Sequence, residues 1–355
     1  MRSWVVLAGS LCFVALTIGC GEEAKPSEPD VPSGEQYLLW TFQAGDAVEQ
    51  SPWVENGKVY LSSLDGKIYC LEAETGRQIW TYQTGDRVVA RPTLHGGKVY
   101  VGSWDKKLYC LDAQNGKLIW WEGAEDMIYT TACVHDNRVF FGDFDGYFEC
   151  IPIGSGRRWS FRTLGGFFST PYGDSGYVYA TSSDGYIRCF DTEWEWPEWE
   201  YNAGSPNFSS PWVENGRVYV GGDYNLLCLN AKNGGIVWHY KTKGADRCRP
   251  RVVDGKVYVG DYGGYVYCLK AGDGKLVWGS KVAPDWSDVR SRPLVHNGKV
   301  YVGATHGSVL CLNEADGKVF WKYATGGQVV ADPWFYDGKM YIGSGDGKLY
   351  CFKAN

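Results

Sequence analysis

The sequence predicts an all-β protein, an eight-bladed β-propeller of four-stranded antiparallel blades, and three observations support that fold class. Its 355 residues include 47 Gly, 17 Trp and 25 Tyr, a composition that suits strands joined by tight turns and excludes a helical bundle or a disordered chain. Tryptophan and cysteine recur in phase with each other, eight times each. Finally, the first repeat carries a surplus strand that the last repeat lacks.

The N-terminal segment, residues 1–19, is predicted to be a signal peptide of the lipoprotein type. A short basic start precedes an apolar run, residues 4–18, which is too short to span a bilayer comfortably. Gly19-Cys20 resembles the end of a bacterial lipobox, in which Cys20 would be lipidated, although Thr17 stands where leucine is usual. The alternative is ordinary signal cleavage nearby, which would leave Cys20 as a spare thiol.

Residues 20–36 are predicted to form an acidic, proline-rich tether. From residue 21 onward the segment holds three Pro and five acidic residues and almost nothing apolar, so it cannot bury a core. Such a tether would hold a globular domain away from a membrane anchor. Gly21 after the cysteine resembles lipoproteins that move on to the outer membrane, in an organism that has two membranes.

Residues 37–355 contain eight copies of one unit, numbered here as blades in chain order. Each copy has four short strand-like runs, and Asn-Gly or Asp-Gly pairs that favour two-residue hairpins separate many of them. The repeat spacing is 39 or 40 residues, with one step of 43. Antiparallel units of this length repeated radially are propeller blades. The recurring residues are Trp40, Trp80, Trp120, Trp159, Trp199, Trp238, Trp278 and Trp321, with Cys70, Cys110, Cys150, Cys189, Cys228, Cys268, Cys311 and Cys351.

The N-terminal strand is predicted to complete blade eight and close the ring. The last copy ends without its tryptophan-bearing strand, and residues 37–40 supply a surplus one. An open array would instead need polar caps, and none is visible. Seven of the eight first strands carry a proline, which lacks a ladder donor and therefore marks the edge strand along the central channel.

Residues 111–120, which read LDAQNGKLIW, resemble the repeat of pyrroloquinoline-quinone (PQQ) type propellers, and the pattern recurs at residues 70–80 and 268–278. A lipoprotein whose mature body is this propeller resembles the BamB family of outer-membrane assembly lipoproteins. That resemblance implies contact with a larger envelope protein through strand addition or loops, and no chemistry. The repeat also resembles that of quinoprotein dehydrogenases, and this resemblance alone would imply PQQ and calcium as cofactors. Those enzymes carry a pair of adjacent cysteines that this chain lacks.

Other classes of function find no support in the sequence. A net charge of −6 gives no electrostatic footprint for nucleic acid. The periodic cysteines occupy equivalent positions on different blades, too far apart for disulfides, and are predicted to be buried free thiols. Cys133 and Cys248, on blades three and six, should also be too far apart to pair. The five histidines are spread over the chain, so we predict no metal site and no catalytic residue.

The residues just before the prolines are predicted to line one mouth of the central channel. Aromatic residues stand there on blades three to five, and arginines stand mostly on blades six and seven. These residues are Tyr129, Phe168 and Phe208, with Arg91, Arg247, Arg249, Arg290 and Arg292. Such a surface would suit an anionic or amphipathic ligand or an acidic segment of a partner. Alternatively, the arginines pair with nearby acids such as Asp288 and Asp332 and fill the axis.

Tryptophans outside the repeat positions mark a second candidate surface and a weaker, separate one. Trp194 and Trp196 lie beside acidic residues at the outer edge of blade four, where a partner could add a strand. Trp286 lies in the longest connection and is a weaker candidate of the same kind. The alternative is that these side chains cover their own blade.

The sequence therefore indicates an exported, lipid-anchored and monomeric propeller that binds protein partners in the cell envelope. In an organism with two membranes it would lie on the periplasmic face of the outer membrane. The alternative is a ligand-binding or sensor propeller that uses the channel mouth. A PQQ-dependent oxidoreductase comes last, because no base and no calcium ligand set can be placed on any residue.

Overall fold

A computed structural model of the protein describes residues 31–204, 208–222, 224–244 and 249–354. It contains 32 strands in eight four-stranded antiparallel sheets, which confirms the predicted eight-bladed propeller. Within the described residues, one 3-10 turn, Gly34–Tyr37, is the only helical element. No helix in that part of the chain has the length and apolar character needed to cross a bilayer.

Blades one to seven run in chain order from the strand nearest the axis to the outermost strand, and in blade eight the N-terminal strand is the outermost. Blade one comprises β2 (Trp53–Glu55), β3 (Lys58–Ser62), β4 (Lys67–Glu72) and β5 (Gln78–Gln83). Blade two comprises β6 (Thr93–His95), β7 (Lys98–Ser103), β8 (Lys107–Asp112) and β9 (Leu118–Gly123). Blade three comprises β10 (Cys133–His135), β11 (Arg138–Gly142), β12 (Tyr147–Pro152) and β13 (Trp159–Arg162). Blade four comprises β14 (Tyr172–Asp174), β15 (Tyr177–Thr181), β16 (Tyr186–Asp191) and β17 (Pro197–Asn202).

The second half of the ring repeats this arrangement. Blade five comprises β18 (Trp212–Glu214), β19 (Arg217–Gly221), β20 (Asn225–Asn230) and β21 (Ile236–Lys241). Blade six comprises β22 (Arg251–Val253), β23 (Lys256–Gly260), β24 (Tyr265–Lys270) and β25 (Leu276–Lys281). Blade seven comprises β26 (Leu294–His296), β27 (Lys299–Ala304), β28 (Ser308–Asn313) and β29 (Val319–Ala324). Blade eight comprises β30 (Trp334–Tyr336), β31 (Lys339–Gly343), β32 (Lys348–Lys353) and β1 (Leu38–Gln43).

The hairpins form where the sequence places Asn-Gly and Asp-Gly pairs. Asn56 and Gly57, between β2 and β3, have φ of 52° and 71°, the left-handed geometry of a type I′ turn. Asp254 and Gly255 repeat it between β22 and β23, with φ of 49° and 71°. The prolines do not lie inside the inner strands but directly before them, as Pro52 does before β2. No inner-strand ladder therefore has to accommodate a missing N–H donor.

The hydrophobic core lies between neighbouring blades. In one such cluster Tyr60, Cys70 and Trp80 of blade one pack against Val99 and Tyr109 of blade two. All nine cysteines in the described part of the chain are free, as predicted, and all but one are buried. Burial raises the pKa of the Cys70 thiol to about 11, so this cysteine is a neutral, apolar core residue. The tenth cysteine predicted to be free, Cys248, falls outside the described residues.

The recurring tryptophans join each blade to the next. The indole Nε1 of Trp80 donates to the carbonyl oxygen of Ala113 at 3.2 Å, and Trp238 makes the same bond to Ala271 at 3.0 Å. The face of Trp80 is covered by the turn glycine of the next blade, Gly116, where a Cβ would lie 2.6 Å from the ring. The repeat is therefore a docking unit between blades as well as a set of strands.

The N-terminal strand closes the ring as predicted. Strand β1 pairs antiparallel with β32, with Trp40 opposite Cys351, and completes blade eight. Residues just before β1, which the sequence assigns to the tether, lie against blade seven. The carbonyl oxygen of Pro32 accepts from the backbone N–H of Lys322 at 3.1 Å. Gly34 packs on the indole of Trp321, where a Cβ would lie 2.6 Å away, in the place that a turn glycine takes at other blades.

A cationic channel with an aromatic mouth

The eight residues that precede the inner strands by two positions form a ring around the axis. Their backbone N–H groups donate to the side chain of the same position in the next blade at four steps. These bonds join Arg91 to Thr131 (3.1 Å), Thr170 to Ser210 (2.9 Å), Arg292 to Asp332 (2.8 Å) and Asp332 to Ser51 (2.9 Å). At these four steps, equivalent positions of neighbouring blades are therefore in direct contact.

The aromatic side of the mouth is one continuous cluster. Ring centroids lie 5.4 Å apart between Tyr129 and Phe168 and 5.1 Å apart between Phe168 and Phe208, so the three predicted residues are in contact. Two residues that the sequence reasoning missed extend the cluster: Trp104, 5.0 Å from Tyr129, and Phe144, 5.7 Å from Tyr129. Both lie in the turn between the second and third strands, and an apolar residue in such a turn is the signal that could have found them.

On the arginine side, local pairing accounts for two of the predicted residues. Arg290 donates to the Asp288 carboxylate at 2.7 Å, and its guanidinium carbon lies 4.8 Å from the ring centroid of Tyr262. Arg249 reaches to blade eight, where its guanidinium forms an ion pair of 2.9 Å with Asp332. Arg247 falls outside the described residues.

Asp332 is a buried carboxylate held between arginines. Its Oδ2 accepts from Arg249, and its Oδ1 accepts from the backbone N–H of Arg292. Burial alone would raise the pKa of Asp332, but the guanidinium groups of Arg249 and Arg292 outweigh burial and hold that pKa below its usual value. The residue is therefore ionised at neutral pH and supplies one negative charge to the channel.

The remaining arginines of the channel stack on tryptophans. The guanidinium carbon of Arg91 lies 5.2 Å from the ring centroid of Trp53 and 5.3 Å from that of Trp334. Arg292 and a further arginine, Arg251, both lie over Trp212, at 5.3 Å and 4.5 Å. The buried Nε atoms of Arg91, Arg251 and Arg292 have no hydrogen-bond partner among the described residues. Burial lowers the pKa of Arg91 and of Arg292 to about 10.

Sequence reasoning placed the ring of residues but missed this second layer. The stacking partners stand two residues after the ring position, at the first residue of the inner strand. Aligning that column would have revealed Trp53, Trp212 and Trp334 together with Arg251. The channel is thus more aromatic and more cationic than the mouth residues alone indicate.

The candidate tryptophans outside the repeat positions lie in two separate places. Trp194 and Trp196, 59% and 69% exposed, lie just before the outermost strand of blade four. Each also contacts its surroundings: Arg157 lies 5.5 Å over Trp194, and Phe161 meets Trp196 at 5.9 Å between centroids. Trp286, 77% exposed, lies instead in the connection that carries Arg290. The three tryptophans therefore do not form one surface.

Comparison with known proteins identifies the family. A sequence model described as outer membrane protein assembly factor BamB matches residues 32–195, 156–285 and 262–355, which together span the propeller. The chain belongs to the BamB family. A curated relative, BamB of Moranella endobia (strain PCIT), is 31% identical over 117 residues, covering 32% of this chain and 30% of that protein. The alignment therefore spans less than a third of this BamB relative.

Solved structures agree with the fold. BamB from Moraxella catarrhalis superposes with a TM-score of 0.78 at 17% identity, covering 89% of this chain and 99% of that one. A quinohemoprotein alcohol dehydrogenase from Comamonas testosteroni gives a TM-score of 0.72 at 16% identity, covering 89% of this chain and 76% of that one. At these identities the likeness shows the propeller fold that the BamB family shares with such enzymes, and nothing about chemistry.

Proposed function

We propose that the protein is a non-catalytic, monomeric envelope lipoprotein whose propeller binds a protein partner in outer-membrane protein assembly. Membership of the BamB family supports the assembly role. The observation that carries the proposal is the aromatic mouth, a continuous apolar surface on blades two to five. Contiguous exposed apolar surface marks interaction sites, and aromatic residues contribute most of the binding energy at such sites.

The mouth offers exposed apolar side chains beside rigidly packed ones. Leu164 is fully exposed and Phe144 is 43% exposed. The loop that carries Leu164 lies directly against Phe144, because a Cβ at Gly166 would come within 2.4 Å of the Phe144 carbonyl oxygen. A partner that covers Leu164 would therefore also cover Phe144 and reach the ring of Tyr129 behind it.

A quinoprotein activity does not fit the residues present. No two cysteines are adjacent in the sequence, so the vicinal pair of those enzymes has no counterpart. Across the described ranges, no group of three or more His, Cys, Asp or Glu residues stands close enough to hold a metal ion. We therefore propose that the protein needs neither PQQ nor calcium.

A pull-down with matched variants tests the partner surface. The full-length protein, a Phe144→Ser/Leu164→Ser variant and a Trp121→Ser control would be recovered from detergent extracts of the native envelope. Trp121 is 51% exposed on β9, the outermost strand of blade two, so the control also removes an exposed apolar side chain. We expect the mouth variant to lose at least about tenfold in captured assembly protein while the control does not.

Two results would contradict this function. Equal capture by the mouth variant and the wild type would remove the aromatic mouth as the partner surface. Recovery of the propeller alone in every case would remove the scaffold role itself. Thermal unfolding of each variant is the fold control, because both exposed positions should tolerate serine with little change in stability.

A further inference from the structure

The channel interior carries more positive charge than the described residues neutralise. Arg91, Arg249, Arg251 and Arg292 lie there with Asp332, and within 4.0 Å only Arg249 pairs with that carboxylate. Among the residues that the structure describes, Arg91, Arg251 and Arg292 form no ion pair and their guanidinium groups donate no hydrogen bond to protein. Glu214, a further carboxylate whose charge acts on Arg251, accepts from the indole of Trp212 at 3.1 Å.

These three cations are half-buried and remain charged. Burial lowers the pKa of Arg91 and Arg292, but only to about 10, so both are protonated at neutral pH. Burying an unpaired charge is costly, and a nearby counter-ion removes most of that cost. A channel built this way is stabilised by an anion that lies among the guanidinium groups.

Stacking on tryptophan holds the guanidinium planes ready for such an anion. Arg91 lies over both Trp53 and Trp334, whose ring centroids are 5.0 Å apart, and Arg251 and Arg292 share the ring of Trp212. A stacked guanidinium keeps its Nη–H donors in its own plane, at the edge of the group and off the aromatic face. That edge is the part that binds oxyanions in a two-point contact.

The arrangement of donors selects the class of anion. Arg91 enters from blade two, Arg251 from blade six and Arg292 from blade seven, so donors approach from different sides of the axis. A planar carboxylate offers two oxygens, whereas a tetrahedral oxyanion offers acceptors in more directions. We propose that the channel binds a tetrahedral oxyanion of the phosphate or sulfate class between Arg91 and the Arg251–Arg292 pair.

Calorimetry and thermal unfolding of the full-length protein test this site with inorganic phosphate, sulfate, acetate and chloride at equal ionic strength. We expect phosphate or sulfate to bind and to raise the unfolding temperature beyond chloride. Arg292→Gln and Arg91→Gln should each weaken binding at least about tenfold. Arg77→Gln is the control, since Arg77 is an exposed arginine on blade one that pairs with Glu72.

A variant that should bind phosphate more tightly guards against misfolding as the cause of lost binding in the arginine variants. Asp332→Asn keeps an acceptor for the Arg292 N–H but removes the negative charge, so phosphate should bind more tightly. Equal stabilisation by chloride, equal binding by Arg292→Gln, or weaker binding by Asp332→Asn would overturn the proposal. Acetate binding as tightly as phosphate would show that the site does not select tetrahedral oxyanions. The aromatic mouth uses other residues, so these results leave the partner-binding test unaffected.

Discussion

Gly116 shows, at the scale of one residue, why the repeat keeps a glycine in the turn after its third strand. The residue has φ of +72°, a conformation that side chains rarely adopt, and it also lies against the indole of Trp80. Backbone geometry and close approach thus both favour glycine. Both requirements recur at Gly76, Gly234, Gly274 and Gly317, each of which lies against a tryptophan of the preceding blade.

A pair of substitutions in blade two separates these two requirements. Gly97→Ala tests geometry alone, since Gly97 has φ of +73° and nothing lies within 4 Å of the added Cβ. Gly116→Ala adds a contact of 2.6 Å with Trp80. In urea unfolding, the free energy of unfolding should fall by about 1 kcal/mol for Gly97→Ala and by about 2–4 kcal/mol for Gly116→Ala. Equal losses would mean that the indole moves aside freely and that docking contributes nothing.

Residue spacing could predict which side chains reach the axis, but not which of them would be paired. Arg249 and Arg292 occupy the same position in adjacent blades. Asp332 nevertheless accepts from the guanidinium of Arg249 and only from the backbone of Arg292. The difference depends on which way each side chain leaves the ring, and a repeat pattern does not specify that direction. The contact of Arg91 with Trp53 and Trp334 does have a signal in the sequence, since the column two residues after the ring position carries tryptophan on blades one, five and eight.

At the scale of whole elements, β1 is the outermost strand of blade eight. In the other blades that position is taken by the next strand in the chain. Strand β1 covers the edge of β32 with ladder hydrogen bonds, and an uncovered edge is prone to pair with other chains. The sequence revealed this strand because the first repeat has one strand too many. It did not reveal that Pro32 and Gly34 dock on blade seven, because those residues look like a solvated linker in composition.

Truncation from the N-terminus tests the closing element. A chain that starts at residue 44 lacks β1, so the edge of β32 and the core around Cys351 become exposed. We expect it to aggregate or to lose cooperative thermal unfolding, as seen by size-exclusion chromatography and circular dichroism. A chain that starts at residue 32 keeps every strand and is the control. Cooperative unfolding of the shorter chain at the control's temperature would show that the ring closes without β1.

At the scale of the whole molecule, the ring separates its two proposed binding regions. The aromatic mouth is built from connections and turns of blades two to five, whereas the arginines whose Nε atoms lack hydrogen-bond partners lie over the tryptophans that begin inner strands. The core that holds both is distributed over clusters between neighbouring blades rather than gathered in one place. A surface substitution in one region should therefore leave the other region's geometry unchanged.

The proposed membrane attachment would depend on Cys20, which lies outside the described residues. Because an apolar run and Gly19 precede it, we expect Cys20 to carry the lipid. Radiolabelled palmitate fed to the native organism should label the wild-type protein and a Cys133→Ser control, but not Cys20→Ala. Persistent labelling of Cys20→Ala would contradict this site.

Replacing residues 1–19 by an ordinary cleavable signal should move the protein from the membrane fraction to the soluble fraction, since acyl chains rather than the propeller would hold it at the membrane.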